Sequence, residues 1–327
     1  MPRRISFSEA SRMLRSRSDI LDTGVTERQL ADALRSGALK RLHRGSYVTK
    51  TDWDDLWGEG RQLLRVIAVD RAAQAPQSRV YVGVSAAVLW ELPLYRHSPD
   101  SVHTLIRGTR HTRTVSGVVR HDLDVREDDI VVRHGLLCTS LTRTVFDLAR
   151  RGSCDLALAA ADAALGQVAV DRHRQDPDAA ATWREDLARL EKPGLRGIRQ
   201  ARWVAGFADG RAQLPGESVS RLQLFRLGYR APELQVPVIG ADGDEYFLDF
   251  GFRGARKFGE FDGEGKYLES DLRRAETSSD AVLLEKQRED DIRGVTGWGF
   301  ARWGSAHIRT PDALGARLHA FGIHPPG

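Results

Sequence analysis

Residues 245–262 read EYFLDFGFRGARKFGEFD. Two runs rich in aromatic residues, 245–252 and 256–262, flank the short turn Arg253–Arg256, a pattern typical of a β-hairpin. If the loop is symmetric, residue 252 lies opposite residue 257. The same register then places Asp249 directly opposite Glu260. The sequence therefore predicts an antiparallel hairpin in which two carboxylates face each other.

Acidic side chains converge on one face of this predicted hairpin. Directly opposed residues have Cβ atoms about 4.5–5.5 Å apart, and like charges there are destabilising. Asp262 shares the face of Glu260 because side chains alternate along a strand with a period of two. A bound Mg²⁺ or Mn²⁺ would account for the convergence, since hard cations prefer oxygen ligands. We therefore predict a metal site formed by Asp249, Glu260 and Asp262.

Two further residues are predicted to complete this site. Glu217 lies on a predicted helix, Glu217–Leu227, that precedes the strands. Lys266 follows four residues after Asp262, and its ammonium could orient a water molecule or stabilise charge on a phosphate. The alternative is structural: Asp262 begins a turn at Gly263, and Glu260 is an exposed strand residue. Gln235 and Gln287 could also reach the site, although surface roles are favoured for both.

The set of a helix Glu, a strand Asp, a strand Glu and a Lys resembles the PD-(D/E)xK nuclease superfamily. Within it, the run LDF…GEFDG…KY and the downstream EKQREDDIRGVTGWGFARW resemble very-short-patch-repair-like endonuclease domains. The resemblance implies Mg²⁺-dependent hydrolysis of DNA, with Asp249, Glu260, Lys266 and Glu217 as catalytic residues. The chain departs from the usual pattern because Asp262 stands where the superfamily places its lysine, so Lys266 would have to act from further along the chain.

Residues 24–48 read GVTERQLADALRSGALKRLHRGSYV and predict a second module. Thr26 and Gln29 form a capping-box pattern at the start of a helix, and Gly37 ends it. An earlier helix is predicted from Ser8 to about Arg17, and two short strands surround a basic turn after Gly37. Two helices followed by a basic ribbon are typical of a winged helix, in which the second helix enters the major groove of DNA.

Six side chains of this module are candidates for contact with DNA: Arg28, Arg35, Lys40, Arg41, His43 and Arg44. Any one of these charges is equally well explained as part of a solvated helical face. The whole run, however, resembles the N-terminal winged helix of AbiEi-type antitoxins. The segments SAAVLWELPL and TSLTRTVFDLAR also resemble the region that follows this winged helix in AbiEi-like actinobacterial proteins.

The middle of the chain predicts architecture rather than chemistry. Strands and helices alternate over residues 52–170, and Arg143 and Asp147, four residues apart on a predicted helix, are expected to form an ion pair. The histidines of this region have no metal-ligand spacing and are expected to be scattered in the core or in solvent: His97, His103, His111, His121 and His134.

The distribution of charge agrees with a basic module at one end and an acidic one at the other. The chain has 327 residues, with 49 Lys+Arg against 45 Asp+Glu and a net charge of +4. Residues 1–50 carry 11 cations and 5 anions, whereas residues 215–327 carry 15 cations and 18 anions. Because 43 of the cations are Arg, which a GC-rich genome also produces, the location of the charge is more informative than its total.

We therefore predict an α+β protein with an N-terminal winged helix, a mixed α/β middle domain and a C-terminal restriction-endonuclease-like domain. The expected bounds are 1–51 for the winged helix, 52–170 for the middle domain, 171–210 for a linker with a bridging helix, and 211–327 for the nuclease-like domain. No apolar run is long enough to span a membrane and no secretory signal is visible, so a cytoplasmic, nucleoid-associated protein is expected.

The expected function is a DNA-binding, Mg²⁺-dependent endonuclease. The alternative is a non-catalytic DNA-binding regulator or antitoxin, with a toxin as partner and the nuclease-like domain as a scaffold. An RNA-directed nuclease is a third alternative, since metal–phosphate chemistry does not select the sugar. Cleavage of both strands would suggest a homodimer.

Overall fold

The described residues form helices and several β-sheets, so the fold class is α+β, as predicted. The computed structural model describes residues 2–73, 79–106, 114–115, 117–263 and 278–326, and it describes the side chains of all of these except 114–115 and 278–282. The chain forms two compact units: Met1–Ala160 with Glu185–Ala205, and Ala161–Arg184 with Gly206–Gly327. Within the described residues, no helix has the length and apolar character needed to cross a membrane.

The first unit begins with three short helices and a β-hairpin. The elements are α1 (Phe7–Met13), α2 (Arg17–Asp22), α3 (Glu27–Ser36), β1 (Leu39–His43) and β2 (Ser46–Thr49). Each helix has a capping box, formed at its N-cap by Ser6, Ser16 or Thr26. Gly37 ends α3 in the left-handed conformation, with a φ of 75°, as the sequence predicted.

A small core holds these elements together. Ile20, Leu30 and Tyr47 are buried against one another. Arg15 lies between α1 and α2 and pairs antiparallel with Tyr47 of β2 through two backbone hydrogen bonds of 3.0 and 2.9 Å. The sequence predicted one helix from Ser8 to about Arg17. The structure corrects this, because the first helix ends at Met13 and Ser16 caps a separate one.

A six-stranded mixed sheet forms the centre of the first unit. Its spatial order is β5-β6-β4-β3-β8-β7. The strands are β3 (Val80–Tyr81), β4 (Val102–Leu105), β5 (Thr114–Val115), β6 (Val118–His121), β7 (Ile130–Arg133) and β8 (Leu136–Thr139). The helices from here to residue 207 are α4 (Lys50–Asp54), α5 (Gly58–Arg71), α6 (Val84–Leu89), α7 (Leu141–Arg151), α8 (Cys154–Ala169), α9 (Pro177–Arg189) and α10 (Ile198–Phe207). The predicted ion pair on α7 is confirmed: Arg143 Nε donates to Asp147 Oδ2 over 2.9 Å.

The second unit contains a four-stranded sheet in the order β11-β12-β13-β14. Its strands are β11 (Glu233–Ile239), β12 (Glu245–Phe252), β13 (Lys257–Asp262) and β14 (Gly299–Gly304), and β14 runs parallel to β13. A separate small hairpin is formed by β9 (Val170–Asp171) and β10 (Arg174–Gln175), and the helices are α11 (Pro215–Arg226), α12 (Ser278–Thr296) and α13 (Pro311–Ala320). The predicted division into three domains and a linker stays a prediction.

The register of the β12–β13 hairpin is the one predicted from the sequence. Phe252 pairs with Lys257, and Phe250 pairs with Gly259. The regular pairing stops there, one position before Asp249 and Glu260. On the face covered by α12, Ile292 packs in a buried cluster with Leu248 and Phe258, among others.

Candidate functional site

The six predicted DNA-contacting side chains lie on α3 and on the β1–β2 hairpin. Arg28, Arg35, Arg41 and Arg44 are exposed, whereas Lys40 and His43 are half-buried. Arg35 is paired with Asp32 on the same helix. Burial, together with Arg79 and Arg41, lowers the pKa of His43, so this imidazole is neutral at pH 7 and offers no positive charge to a phosphate. The arginines are therefore the stronger candidates.

In the second unit, three of the predicted acidic residues are buried. Asp249 is 5%, Glu260 6% and Glu217 1% exposed. This contradicts the structural alternative in which Glu260 is an exposed strand residue. Burying a carboxylate is costly unless a cation, hydrogen bonds or a metal compensates it. The partners of each acid therefore decide what the site can do.

Asp249 and Glu260 lie close enough to influence each other. Burial raises the pKa of Glu260, the guanidinium groups of Arg288 and Arg302 oppose this, and the charge of Asp249 raises it further. Asp249 Oδ2 accepts a hydrogen bond of 2.9 Å from the backbone N–H of Phe261. Asp249 and Glu260 both lie at the position where β12 and β13 stop pairing regularly, and the direct juxtaposition of their carboxylates stays a prediction.

Glu260 also has partners that the sequence analysis did not identify. Arg288 of α12 donates from Nη2 to Glu260 Oε1 over 2.9 Å, and Arg302 of β14 lies 3.0 Å from Glu260 Oε2. Glu285 and Glu289 of α12 bind Arg302 in turn. This network satisfies the Glu260 carboxylate with two guanidinium groups, so a metal ion would have to share Glu260 with them.

Glu217 is brought to this region by the N-terminal turn of α11. Its Oε2 accepts a hydrogen bond of 2.9 Å from the backbone N–H of Gln213. The neighbouring Gly216 allows α11 to approach β13 closely, because a Cβ at this position would lie 2.0 Å from Cε1 of Phe261. Phe261 also donates its N–H to Asp249, so the packing of Phe261 against Gly216 links α11 to Asp249.

The donor chemistry of these residues fits Mg²⁺, although the predicted ligand set is incomplete. In the described part of the chain, no group of three or more acidic, histidine or cysteine side chains is placed to hold a metal ion. Asp262 is half-buried at the end of β13, and Lys266 lies outside the described residues. Mg²⁺ is usually held by one or two carboxylates together with water and substrate phosphates, which the pair of Asp249 and Glu260 can supply.

An irregularity in β11 lies next to Asp249. The β11–β12 ladder pairs Leu234 with Phe250 and Val236 with Leu248, so Gln235 lies opposite Asp249 without a regular pair. Gln235 has a φ of 50°. This left-handed conformation costs a residue with a Cβ about 1–2 kcal/mol. The strain therefore falls at the strand position beside the candidate catalytic acid.

Gln235 is also buried with an unsatisfied amide. It is 5% exposed, and its Nε2 has no hydrogen-bond partner among the described residues. A buried polar group without a partner costs about 1–3 kcal/mol. The sequence analysis favoured a surface role for Gln235, and this was wrong: the side chain is held inside the unit at the cost of both strain and desolvation.

His173 of the β9–β10 hairpin fixes the other end of this amide. Its Nδ1 lies 2.9 Å from Gln235 Oε1 and 3.0 Å from Gln213 Nε2. The imidazole stacks on Phe247 of β12, with ring centroids 3.7 Å apart. Neither His173 nor Gln213 was singled out from the sequence; His173 lies in the polar run 171–178, which is typical of a linker.

A cavity of about 580 Å³ opens beside these residues. All of its lining belongs to the second unit: His173, Arg174, Gln175, Pro177, Arg211, Glu233, Leu234, Gln235, Val236, Pro237 and Phe247. This volume is within the range of about 300–1,000 Å³ that is usual for ligand sites. Asp249, Glu260 and Glu217 do not line this cavity, but Gln235, which lies opposite Asp249, does.

In the first unit, the structure brings together histidines that the sequence suggested were scattered. His121 Nε2 and His103 Nδ1 are 3.0 Å apart, and both residues line a cavity of about 220 Å³ with His97. Burial, His121 and His97 together lower the pKa of His103 to about 4. Burial and Arg151 also lower the pKa of His121. Both imidazoles are therefore neutral at pH 7.

The low pKa of His103 predicts that the first unit loses stability in mild acid. Between the unfolded value near 6.5 and the folded value of about 4, the unfolded chain binds more protons, so stability falls as the pH is lowered through this interval. We expect a loss of about 2–3 kcal/mol at most. Urea unfolding from pH 8 to pH 4.5 measures it, and His103→Gln should flatten the dependence. An equally steep acid loss in this variant would contradict the assignment.

Comparison with known proteins shows the family of this chain. It is 30% identical over 241 residues to the uncharacterized protein Rv2248 of Mycobacterium tuberculosis strain H37Rv, and equally to the uncharacterized protein MT2308 of strain CDC 1551. The match covers 73% of this chain and 79% of each relative. The chain therefore belongs to the family of these mycobacterial proteins. No protein-family model matches it.

Proposed function

We propose that this chain is a DNA-binding, metal-dependent endonuclease that hydrolyses phosphodiester bonds. The observation that carries the proposal is the burial of three acidic side chains of the second unit, Asp249, Glu260 and Glu217, with Asp249 and Glu260 on neighbouring strands at the end of the regular β12–β13 pairing. The resemblance of the sequence to PD-(D/E)xK nucleases supports the same function. In this proposal the second unit is restriction-endonuclease-like, and the N-terminal elements are a winged helix.

Three acidic residues would hold the metal ion in this proposal. Asp249 and Glu260 supply carboxylate oxygens, and Glu217 or Asp262 adds a further ligand. When bound, Mg²⁺ or Mn²⁺ would activate water and offset the charge of the scissile phosphate. The chain's own contribution is to fix these carboxylates: the N–H of Phe261 orients Asp249, and Arg288 and Arg302 hold Glu260. We assign Lys266 to positioning the attacking water.

The winged helix would bring DNA to this unit. In our proposal α3 enters the major groove, with Arg28 and Arg35 exposed towards it, while Arg41 and Arg44 of the hairpin contact phosphates. Lys40 and His43 are half-buried and contribute less.

Removal of these arginines should weaken DNA binding. We expect Arg28→Ala and Arg44→Ala to lower affinity for duplex DNA, and each lost phosphate contact should reduce the slope of log K against log salt by about 1. A lost base contact would cost about 1–3 kcal/mol. Fluorescence anisotropy at several salt concentrations measures both quantities. The control is Arg126→Ala, an exposed arginine paired with Asp128 outside this module. Equal affinities for all three variants and the wild type would contradict the proposal that Arg28 and Arg44 contact DNA.

A non-catalytic DNA-binding regulator or antitoxin is the second candidate function. The ion pairs of Glu260 with Arg288 and Arg302 favour it, because they can satisfy the buried acid without a metal ion. In this case the second unit would be a scaffold or would dimerise, and a toxin would be the expected partner.

One experiment separates these candidates. Pure protein is incubated with duplex DNA, single-stranded DNA and RNA, each with Mg²⁺, Mn²⁺ or EDTA. Ion-dependent cleavage of DNA supports the endonuclease. Cleavage of RNA alone shows that the substrate is RNA rather than DNA. Binding to DNA without cleavage under either ion, together with protection of its own promoter, supports the regulator.

A further inference from the structure

We propose that the cavity of the second unit binds one phosphorylated nucleoside, with the ring beside Gln235 and the phosphate towards Arg174 and Arg211. The source that we favour is a nucleotide of a DNA strand, because Gln235 lies opposite Asp249 in the β11–β12 register. In this respect the inference rests on the proposed function. A free nucleotide presents the same chemistry, and the experiment below distinguishes the two sources.

The lining of the cavity suits a ligand with an apolar ring and an anionic group. Apolar side chains form part of its wall, including Val236, Pro237 and Pro177. Arg174 is exposed at the cavity, and Arg211 is partly exposed there. A planar heterocycle against the apolar wall, with its phosphate near the guanidinium groups, satisfies both kinds of surface.

The guanidinium group of Arg211 is held in a fixed position. Asp209 accepts two hydrogen bonds from it, of 3.0 Å from Nε and 2.8 Å from Nη2. The one acidic residue of the lining, Glu233, is paired with Arg253. A phosphate entering the cavity would therefore meet cations without an unopposed carboxylate in the described lining.

Gln235 gives the cavity a specific polar group. One end of its amide is held by His173, which is itself fixed by stacking on Phe247. The other end has no partner among the described residues. If the amide were turned over, its oxygen rather than its nitrogen would lack the partner, so one buried polar atom of this cavity-lining side chain is unsatisfied in either orientation. Residues held in strained backbone conformations cluster at active sites and ligand-binding sites.

Substitution of Gln235 by glycine separates binding from folding. Glycine adopts a φ of 50° without strain, so Gln235→Gly should keep or raise the thermal midpoint while removing the amide. The matched control is Arg256→Gly, which relieves the same conformation (φ 49°) at an exposed turn away from the cavity. Arg174→Ala is a second test that leaves the interior unchanged.

The experiment measures equilibrium binding by the full chain in EDTA, so that it does not depend on catalysis. The probes are adenosine monophosphate, thymidine monophosphate, inorganic phosphate and a labelled single strand of ten nucleotides. All variants are made in a chain that also carries Arg28→Ala and Arg44→Ala, so that α3 and the β1–β2 hairpin contribute little to binding. We expect nucleotide binding that Gln235→Gly weakens at least tenfold, that Arg174→Ala also weakens, and that Arg256→Gly leaves unchanged.

The results show whether the ligand is a nucleotide of a DNA strand or a free nucleotide, or they contradict the proposed nucleotide site. Tighter binding of the single strand than of the monophosphates supports a DNA nucleotide, and equal binding supports a free nucleotide. No nucleotide binding, wild-type binding by Gln235→Gly, or inorganic phosphate binding as tightly as the nucleotides would overturn the proposal. Nucleotide binding without any DNA cleavage would contradict the proposed endonuclease activity but leave the nucleotide site standing.

Discussion

Replacement of Asp249 by asparagine is expected to lower Mg²⁺-dependent DNA cleavage on the order of 10²–10³-fold, a loss typical for one electrostatic group at a reacting centre. Asparagine has nearly the same shape and keeps an oxygen that can accept the hydrogen bond from Phe261 N–H. It removes the negative charge and turns the other oxygen into an NH₂ donor. Duplex affinity and the thermal midpoint should therefore stay close to the wild-type values.

Initial rates of plasmid nicking, at protein concentrations above the dissociation constant, measure this effect. The control is Asp244→Asn, which neutralises an exposed carboxylate just before the same strand and should cleave like the wild type. Equal nicking by Asp249→Asn and Asp244→Asn would show that Asp249 takes no part in the reaction.

Replacement of Asp162 by alanine is expected to destabilise the second unit by about 3–5 kcal/mol, because it leaves a buried cation without its partner. Asp162 is fully buried on α8, and its Oδ2 accepts a hydrogen bond of 2.6 Å from Arg221 of α11. Its Oδ1 accepts from the backbone N–H of Asp209 over 2.9 Å. The carboxylate of Asp162 therefore joins α8 to α11 and to the segment before α11.

Urea unfolding monitored by tryptophan fluorescence measures this loss. The control is Glu233→Ala, which breaks an exposed ion pair with Arg253 in the same unit and should cost about 0–1 kcal/mol. A similar small loss in both variants would show that the buried pair does not hold the unit together.

The sequence was sufficient to predict the parts of the fold that depend on local pattern. Alternation and turn length specified the β12–β13 register, and the capping pattern at Thr26 with Gly37 specified α3. These features involve residues close in the chain, whose geometry follows from a few φ and ψ values. The prediction that Asp249 faces Glu260 extends this register by one position beyond the regular pairing.

The remaining features of the site depend on contacts between distant segments. Nothing in the sequence near Glu260 indicates that Arg288 and Arg302 will reach it from another helix and another strand. The contact of His173 with Gln235 joins residues 62 positions apart. The strain at Gln235 also has no local cause in the sequence, since a glutamine between apolar residues is typical of an ordinary strand.

The most direct test of the endonuclease is the conversion of supercoiled plasmid by the wild type and by Glu260→Gln, with Mg²⁺ or Mn²⁺. Glutamine keeps the size of the side chain and an oxygen for Arg288, while it removes the charge needed at the site and places an NH₂ group against Arg302, which keeps its pairs with Glu285 and Glu289. We predict that the wild type nicks or linearises the plasmid and that Glu260→Gln binds DNA but leaves it supercoiled. No conversion by the wild type with either ion at saturating protein, or equal conversion by the variant, would contradict the proposed function.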